Sequence, residues 1–319
     1  MRRYLTQRLL ASVVTIIGIT VLVFGAIRLI PGDQITAQLG TEAGMLSAEQ
    51  RAALERYYGL DEPAIKQYFT WLGSALRGDL GYSVRQGREV LPLILDRFPV
   101  TLELAVFAVL LALAIGIPIG ILSATRRNTW IDLGGRVFSM LGLSLPNFLI
   151  GTLIIYVLSV YFGILPNSGD YRGFTQDPLE NLGQLIFPAI TLGFSFASSI
   201  MRMTRSSMLE ILNADYIRTA RSKGLRERIV ISRHAMRNAF IPVVTLIGVE
   251  FGYLLGGAFI IEQIFSLPGV GRLTINAILQ REYALVQGVT LFIVINFVLI
   301  NLVVDLIYGA LDPRVTYGD

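Results

Sequence analysis

An all-α bundle of six membrane-spanning helices is the fold this sequence predicts. Three observations predict it. Of 319 residues, 53% are hydrophobic and only 16% charged, whereas soluble chains carry about a quarter charged residues. Mean hydropathy is +0.61. Six separate stretches hold roughly the 20 apolar residues that a helix needs to cross a bilayer core. They are 9–30, 99–124, 137–162, 183–201, 238–262 and 286–309.

The first stretch follows Met1-Arg2-Arg3, which opens like a signal peptide. Its apolar run is too long for a signal core and no small-x-small site follows, so it reads as a retained anchor. With the N-terminus inside, the inner segments 1–8, 125–136, 202–237 and 310–319 carry 16 Lys/Arg in 66 positions. The outer segments 31–98, 163–182 and 263–285 carry 10 in 111. Positive charge favours the cytoplasmic side, so both termini are expected there. Topology therefore accounts for the pI of about 9.4, and no nucleic-acid partner is called for.

Outer segment 31–98 reads as a small folded cap. Pro31-Gly32-Asp33 makes a turn. Ser47 and Gln50 have capping-box spacing, for a helix running to Tyr58 and stopped by Gly59. Pro63 starts a second helix that ends near Gly78, and Gly78, Gly81 and Gly87 suggest an irregular hook. The organisation expected is thus 1–30 for the stub and first span, 31–98 for the extracytoplasmic cap, and 99–319 for a five-helix core. Pro118, Pro146 and Pro188 interrupt spans two, three and four. Gly116 and Gly120 form a small-residue stripe in span two; Gly248, Gly252 and Gly256 form another in span five, a candidate subunit interface.

Inner segment 202–237 is the most distinctive. Asn213 has the chemistry to cap a short helix, 214–223, that Gly224 ends. A second basic helix, 225–238, leads into span five. A short capped helix between two spans lies across the membrane surface. It is either an anchor for anionic lipid or a docking helix for a cytoplasmic partner.

Chemistry of other kinds is missing from the sequence. There is no cysteine and a single histidine, His234, set between Arg233 and Arg237. Thiolate and multi-histidine metal sites are therefore excluded, and the expected catalytic and metal residues are none. No G-x-x-x-x-G-K-[ST] binds phosphates, and no G-x-S-x-G or H-E-x-x-H occurs. Gly269-Val-Gly271 reads as a turn. Four acids fall within or at the ends of spans: Glu103 and Glu262 near the outer interface, Asp305 near the inner, and Glu250 deeper. Glu250 is read first as helix–helix glue, second as a permeation or proton site. No inverted repeat marks a secondary transporter.

Asp215-Tyr-Ile-Arg-Thr-Ala-Arg-Ser-Lys-Gly224 followed by Arg237-Asn-Ala-Phe-Ile-Pro242 resembles the cytoplasmic loop of ABC importer permeases. Leu29-Ile-Pro-Gly-Asp33, Tyr57-Tyr-Gly-Leu-Asp61, Gly78-Asp-Leu-Gly81, Phe265-Ser-Leu-Pro-Gly-Val-Gly-Arg272, Asn301-Leu-Val-Val-Asp-Leu-Ile-Tyr308 and Asp312-Pro-Arg314 keep the order of the dipeptide/oligopeptide/nickel branch, B-type permease. The wider family pattern E-A-A-x-x-x-G falls on Arg218, Thr219, Ala220 and Gly224, of which Ala220 and Gly224 match. The resemblance implies a type I importer permease that is not itself an enzyme. It implies ATPase coupling through Asp215, Tyr216, Arg218, Thr219, Ala220, Arg221, Lys223 and Gly224, with helix packing or pore lining at Gly248, Glu250, Gly252 and Gly256. It implies a homologous C-type permease, one or two P-loop ATPases that hold ATP and Mg, a substrate-binding protein outside, and membrane lipid around. The chain itself is expected to bind no cofactor and to lie in a bacterial or archaeal cytoplasmic membrane. The competing expectation is a stand-alone proton- or ion-coupled transporter built on Glu250.

Overall fold

A computed structural model describes residues 2–29, 35, 44–57, 59–167 and 170–311. Pro31-Gly32-Asp33, Tyr58 and Asp312-Pro-Arg314 lie outside them. The helices are α1 (Arg2–Leu29), α2 (Ala48–Tyr57), α3 (Ala64–Leu76), α4 (Val90–Thr125), α5 (Trp130–Ser144), α6 (Asn147–Phe162), α7 (Pro178–Leu212), α8 (Asp215–Ser222), α9 (Glu227–Ile229), a π turn (Val230–Ala235), α10 (Met236–Gly257), α11 (Phe259–Ile264), α12 (Val270–Leu279) and α13 (Tyr283–Leu311). Among the described residues, five helices are long and apolar enough to cross a membrane, and six spans result if the bent pair α5–α6 counts as one.

That pair corrects the expected single span 137–162. The two helices meet at 99°. Pro146 caps α6 and forces Leu145 into extended backbone at φ −84°, ψ 126°, because a residue before proline is pushed out of the helical region. Pro118 and Pro188 interrupt nothing: α4 and α7 run through them. Neighbouring helices and polar side chains tolerate such residues in a span.

The chain divides into two units. The first comprises residues 1–101 and 268–298, so 268–298 groups with the N-terminal segments and not with the remainder of the core. Its capping box forms as expected. Ser47 N donates to Gln50 Oε1 at 2.9 Å, and Gln50 N donates to Ser47 Oγ at 3.1 Å. Gly59, at φ +64°, stops α2, and Pro63 precedes α3. The hook is more regular than expected: 82–83 and 88–89 pair as a short antiparallel hairpin, Tyr82 opposite Glu89. Outer segment 263–285 also holds a helix. Gly269 caps α12, and Thr101 Oγ1 accepts from Val270 N at 2.9 Å. Leu80, Val90, Ile94, Val270, Leu285 and Val289 are buried together as the core of this unit.

The second unit comprises residues 102–267 and 299–319. Here α7 packs against α5, α6, α10 and α11. Its first turn is capped by Asp177, whose Oδ1 accepts from Leu179 N at 3.1 Å and Glu180 N at 3.0 Å. Close approach is set by small residues. A Cβ at Gly116 would lie 2.6 Å from Ala197 O; one at Gly120 would lie 2.8 Å from Met201 O and 2.7 Å from Thr204 Cβ. The expected stripe in α4 is therefore a backbone contact onto α7. Gly248 of α10 is filled from within the chain by Val304, so at that position the second stripe packs internally and does not face a separate subunit. Gly252 is buried, and Gly256 lies in the same helix.

Gly120→Leu is expected to force α4 off α7, at a cost of about 1–3 kcal/mol for overpacking. The readout is the thermal midpoint of the detergent-solubilised chain. Gly18→Leu, at a glycine with nothing within 4 Å, should leave that midpoint unchanged.

Candidate functional site

The short helix α8 begins where α7 cannot continue. Asn213 ends α7: its Nδ2 donates back to Leu209 O at 2.8 Å, so its amide serves the preceding helix and not, as expected, the start of α8. Ala214, in extended backbone, is the N-cap residue of α8, with no side-chain cap bond. At the other end, Gly224 adopts φ +77°. Gly224 N donates to Arg221 O at 2.9 Å and Leu225 N to Ala220 O at 3.4 Å. This is a Schellman ending, and its left-handed position is where glycine carries no steric penalty.

The helix has two faces. Ile217 is fully buried and Ala220 is 7% exposed. Both pack with Ala124, Met208, Val230, Ala235 and Ala239. Asp215, Tyr216, Arg218, Thr219, Arg221, Ser222 and Lys223 face outward. Ala220, one of the residues that the resemblance ties to ATPase coupling, faces inward and seats the helix. The sequence pattern could have shown this, since 217 and 220 are spaced i, i+3 in a helix with polar neighbours.

Polar bonds fix the hairpin. Arg221 donates from Nη2 and Nε to the two Glu227 oxygens at 2.7 and 3.1 Å, and from Nη1 to Leu212 O at 3.4 Å. It therefore ties the end of α7, through α8, to the start of α9. The hydrogen bond to Glu227 raises the Arg221 pKa further above its ordinary value. Asn238 Nδ2 donates to Tyr216 Oη at 2.9 Å, joining α8 to α10. Arg218 and Asp215 pair at 3.2 Å along the exposed ridge. The expected basic helix 225–238 forms as α9, the π turn and the start of α10, with no break between them. A π turn inside a helix frequently marks a functional position.

A buried ion pair that sequence reasoning missed joins α5 to α7. Asp132 is fully buried and Arg205 is 21% exposed. Arg205 donates from Nε to Oδ1 at 2.6 Å and from Nη2 to Oδ2 at 2.9 Å. Asn128 N donates to Oδ2 at 3.1 Å. The fork-to-carboxylate geometry is the strong form of such pairs, and it binds α5 to α7. Its one sequence signal was Asp132 and Arg136 at i, i+4, which stand 3.8 Å apart; the main partner is remote in sequence.

Of the other acids, Glu103 is a structural tie. Glu103 accepts from Tyr171 Oη at 2.5 Å, Asn181 Nδ2 at 2.8 Å and Phe174 N at 3.2 Å. Burial, and then the bond to Glu103, raise the Tyr171 phenol well above its usual range. Glu250 is half-buried in α10. Glu262 is fully buried. Among the described residues no three His, Cys, Asp or Glu side chains cluster as a metal site. What the arrangement offers is a rigid, exposed polar helix rooted in the bundle.

The chain matches the family model described as "Binding-protein-dependent transport system inner membrane component" over residues 116–317, and that family's N-terminal model over 1–105. It is 40% identical to the oligopeptide transport system permease protein AppB of Bacillus subtilis (strain 168), covering 99% of this chain and 100% of that one. It is 40% identical to the dipeptide transport system permease protein DppB of Escherichia coli (strain K12), with 99% of each covered. The glutathione transport system permease protein GsiC of Salmonella choleraesuis (strain SC-B67) is 38% identical over 99% of this chain and 100% of its own. In fold, the chain is similar to the inward-facing MetNI methionine ABC transporter at a TM-score of 0.54 and 17% identity, over 70% of this chain and 98% of that one.

Asp132→Asn leaves Arg205 without its counter-charge. It is expected to destabilise the bundle by about 3 kcal/mol, the low end for breaking a buried pair, read by thermal unfolding in detergent. Arg221→Ala is expected to speed amide exchange in 215–222 by roughly tenfold, the scale of one charged hydrogen bond lost. Mass-resolved hydrogen exchange measures it.

Proposed function

This chain belongs to the family of binding-protein-dependent transport system inner membrane components, and from that premise we propose how its geometry serves transport. It is the transmembrane permease subunit of an ATP-driven ABC importer for peptides or related small solutes. It forms half of the translocation pore, and a homologous C-type permease forms the other half. One or two P-loop ATPases supply ATP hydrolysis with Mg, and a substrate-binding protein delivers solute on the outer face. Both termini lie in the cytoplasm, on the side where Lys and Arg are dense.

The observation that carries this reading is the two-faced helix α8. Its outward ridge of Asp215, Tyr216, Arg218, Thr219 and Lys223 is the surface for a groove on an ATPase. Its inward residues Ile217 and Ala220 plug the core beside Met208 of α7 and Ala124 of α4. Arg221 is held by Glu227 and Leu212, so its part in coupling is to hold the hairpin rigid. Gly224 sets the sharp exit. When ATP closes the ATPases, a push on the ridge moves α8 as a block. Because its roots sit in α7 and α4, the push passes to spans. A nucleotide shifts such an equilibrium only through differential contacts in the two states; the ridge is where those contacts are made.

The stand-alone transporter has no such support. The relatives compared above are each named as the permease protein of a transport system.

Mild-detergent purification of the chain from its native membranes is expected to bring a P-loop ATPase and a second six-span permease with it. A chain that comes alone, with uptake abolished by collapse of the proton gradient, overturns the reading. Tyr216→Ala with Arg218→Glu is expected to lower uptake at least tenfold at matched membrane level, because two ridge side chains each contribute on the order of 1 kcal/mol or more. Basal ATPase activity would persist but lose its stimulation by loaded binding protein. Normal uptake by this double variant would remove α8 from the coupling path.

A further inference from the structure

A second built feature lies in the first unit, between α1, α3, the 78–81 segment and the first turns of α13. It is a cavity of about 530 Å³, within the usual range of small-ligand sites. Its lining mixes one cation, two carboxylates and aromatic walls: Arg28, Glu62, Asp79, Phe24, Trp71 and Gln287.

The polar groups are prepared for a ligand. The Arg28 guanidinium lies 3.5 Å over the Phe24 ring, a favourable cation–π geometry. Its Nε donates to Gln67 Oε1 at 3.1 Å and Nη2 donates to the same oxygen. Its Nη1 edge is left for a further acceptor. Gln287 is 8% exposed, yet its Nε2 has no hydrogen-bond partner. An unpaired buried amide costs about 1–3 kcal/mol, so an acceptor is called for there. Asp79 Oδ1 accepts from Gly81 N at 2.9 Å and Glu62 Oε1 pairs with Lys66 at 2.6 Å. Each carboxylate keeps its second oxygen.

The surroundings point to the source. Arg28 stands in the last turn of the span 6–29, where a helix meets the headgroup layer. Leu22 and Leu29 of α1 are 70% and 84% exposed. Helix α3 lies outside any span, yet Ile65, Phe69 and Leu76 are 73%, 64% and 81% exposed. Spaced i, i+4 and i+11, they share one face. An apolar face on a short helix beside a span is the mark of an interfacial helix. Helix α3 packs against α1 through Phe24, Tyr68 and Trp71.

We propose that α3 lies in the outer leaflet and that the cavity behind it seats the headgroup of a phospholipid of the phosphoethanolamine class. The phosphate accepts from Arg28 Nη1 and Gln287 Nε2, the ammonium faces Glu62 and Asp79, and the acyl chains run along α1 past Leu22.

Trp71 reports the site directly, being one of two tryptophans. The full chain carrying Trp130→Phe is reconstituted in vesicles in which the bromine-labelled lipid is either phosphatidylethanolamine or phosphatidylglycerol, at equal mole fraction. Labelled phosphatidylethanolamine is expected to quench Trp71 more strongly. Arg28→Ala should reduce its apparent preference by roughly tenfold, the scale of one charge-assisted bond. Gln287→Leu keeps the volume and the Phe24 stack, and should reduce it as well. Equal quenching by the two lipids, or a preference that survives Gln287→Leu, overturns the proposal. Loss of phosphatidylethanolamine quenching on adding millimolar dialanine also overturns it, and assigns the cavity to a free zwitterion.

Discussion

Backbone-to-backbone approach onto α7 is the constraint on which the second unit depends. Lipid tails are as apolar as leucine, so helices gain nothing by leaving them for one another; they associate by packing and by hydrogen bonds. Here α4 and α5 bring residues without a side chain to the contact. Gly116 and Gly120 of α4 meet Ala197 and Met201 backbone oxygens. Gly135 of α5 makes room for Ser123 and Met201, and Gly142 for Ser198. Gly193 places α7 itself against Ala108. Ser139 then donates to Ser198 O at 3.3 Å, which only such proximity allows. Widen the α5–α7 seam by one methyl and the polar bonds that cross it are strained together.

That tight seam explains why a helix of eight residues can matter. Isolated, α8 would be far below the length at which a helix holds in water. It is held instead by Ile217 and Ala220 below, by Arg221 across its end and by Tyr216 at its side. Packed interfaces respond as discrete blocks and transmit strain. In the proposed coupling, a displacement of α8 passes to α7 through these contacts. Asp132 and Arg205 join α7 in turn to α5.

Much of this was legible in the residues. The capping box at Ser47 and Gln50, the stop at Gly59, the start at Pro63 and the Gly224 ending all follow local rules, and each formed. The spans followed from composition. Less was legible where two rules competed. Pro118, Pro146 and Pro188 look alike in sequence, but of the three the chain turns only at Pro146. Asn213 has the chemistry to cap either the end of α7 or the start of α8, and the choice was settled by the carbonyl of Leu209 within reach. Partners remote in sequence left no mark at all: Asp132 with Arg205, Glu103 with Asn181, and Gly248 with Val304 are pairings that only the fold creates. A motif read as a string does not say which side faces in, so the burial of Ala220 beside Ile217 came from the fold.

The buried pair carries an implication for how the chain is made. Asp132 and Arg205 are 73 positions apart, and α6 lies between them. At ribosomal speeds of 5–20 residues per second, the arginine emerges roughly 4 to 15 s after the aspartate. During that interval Arg136, one turn along α5, is its counter-charge. The two-pronged seat that joins α5 to α7 therefore closes only after residue 205 has been made.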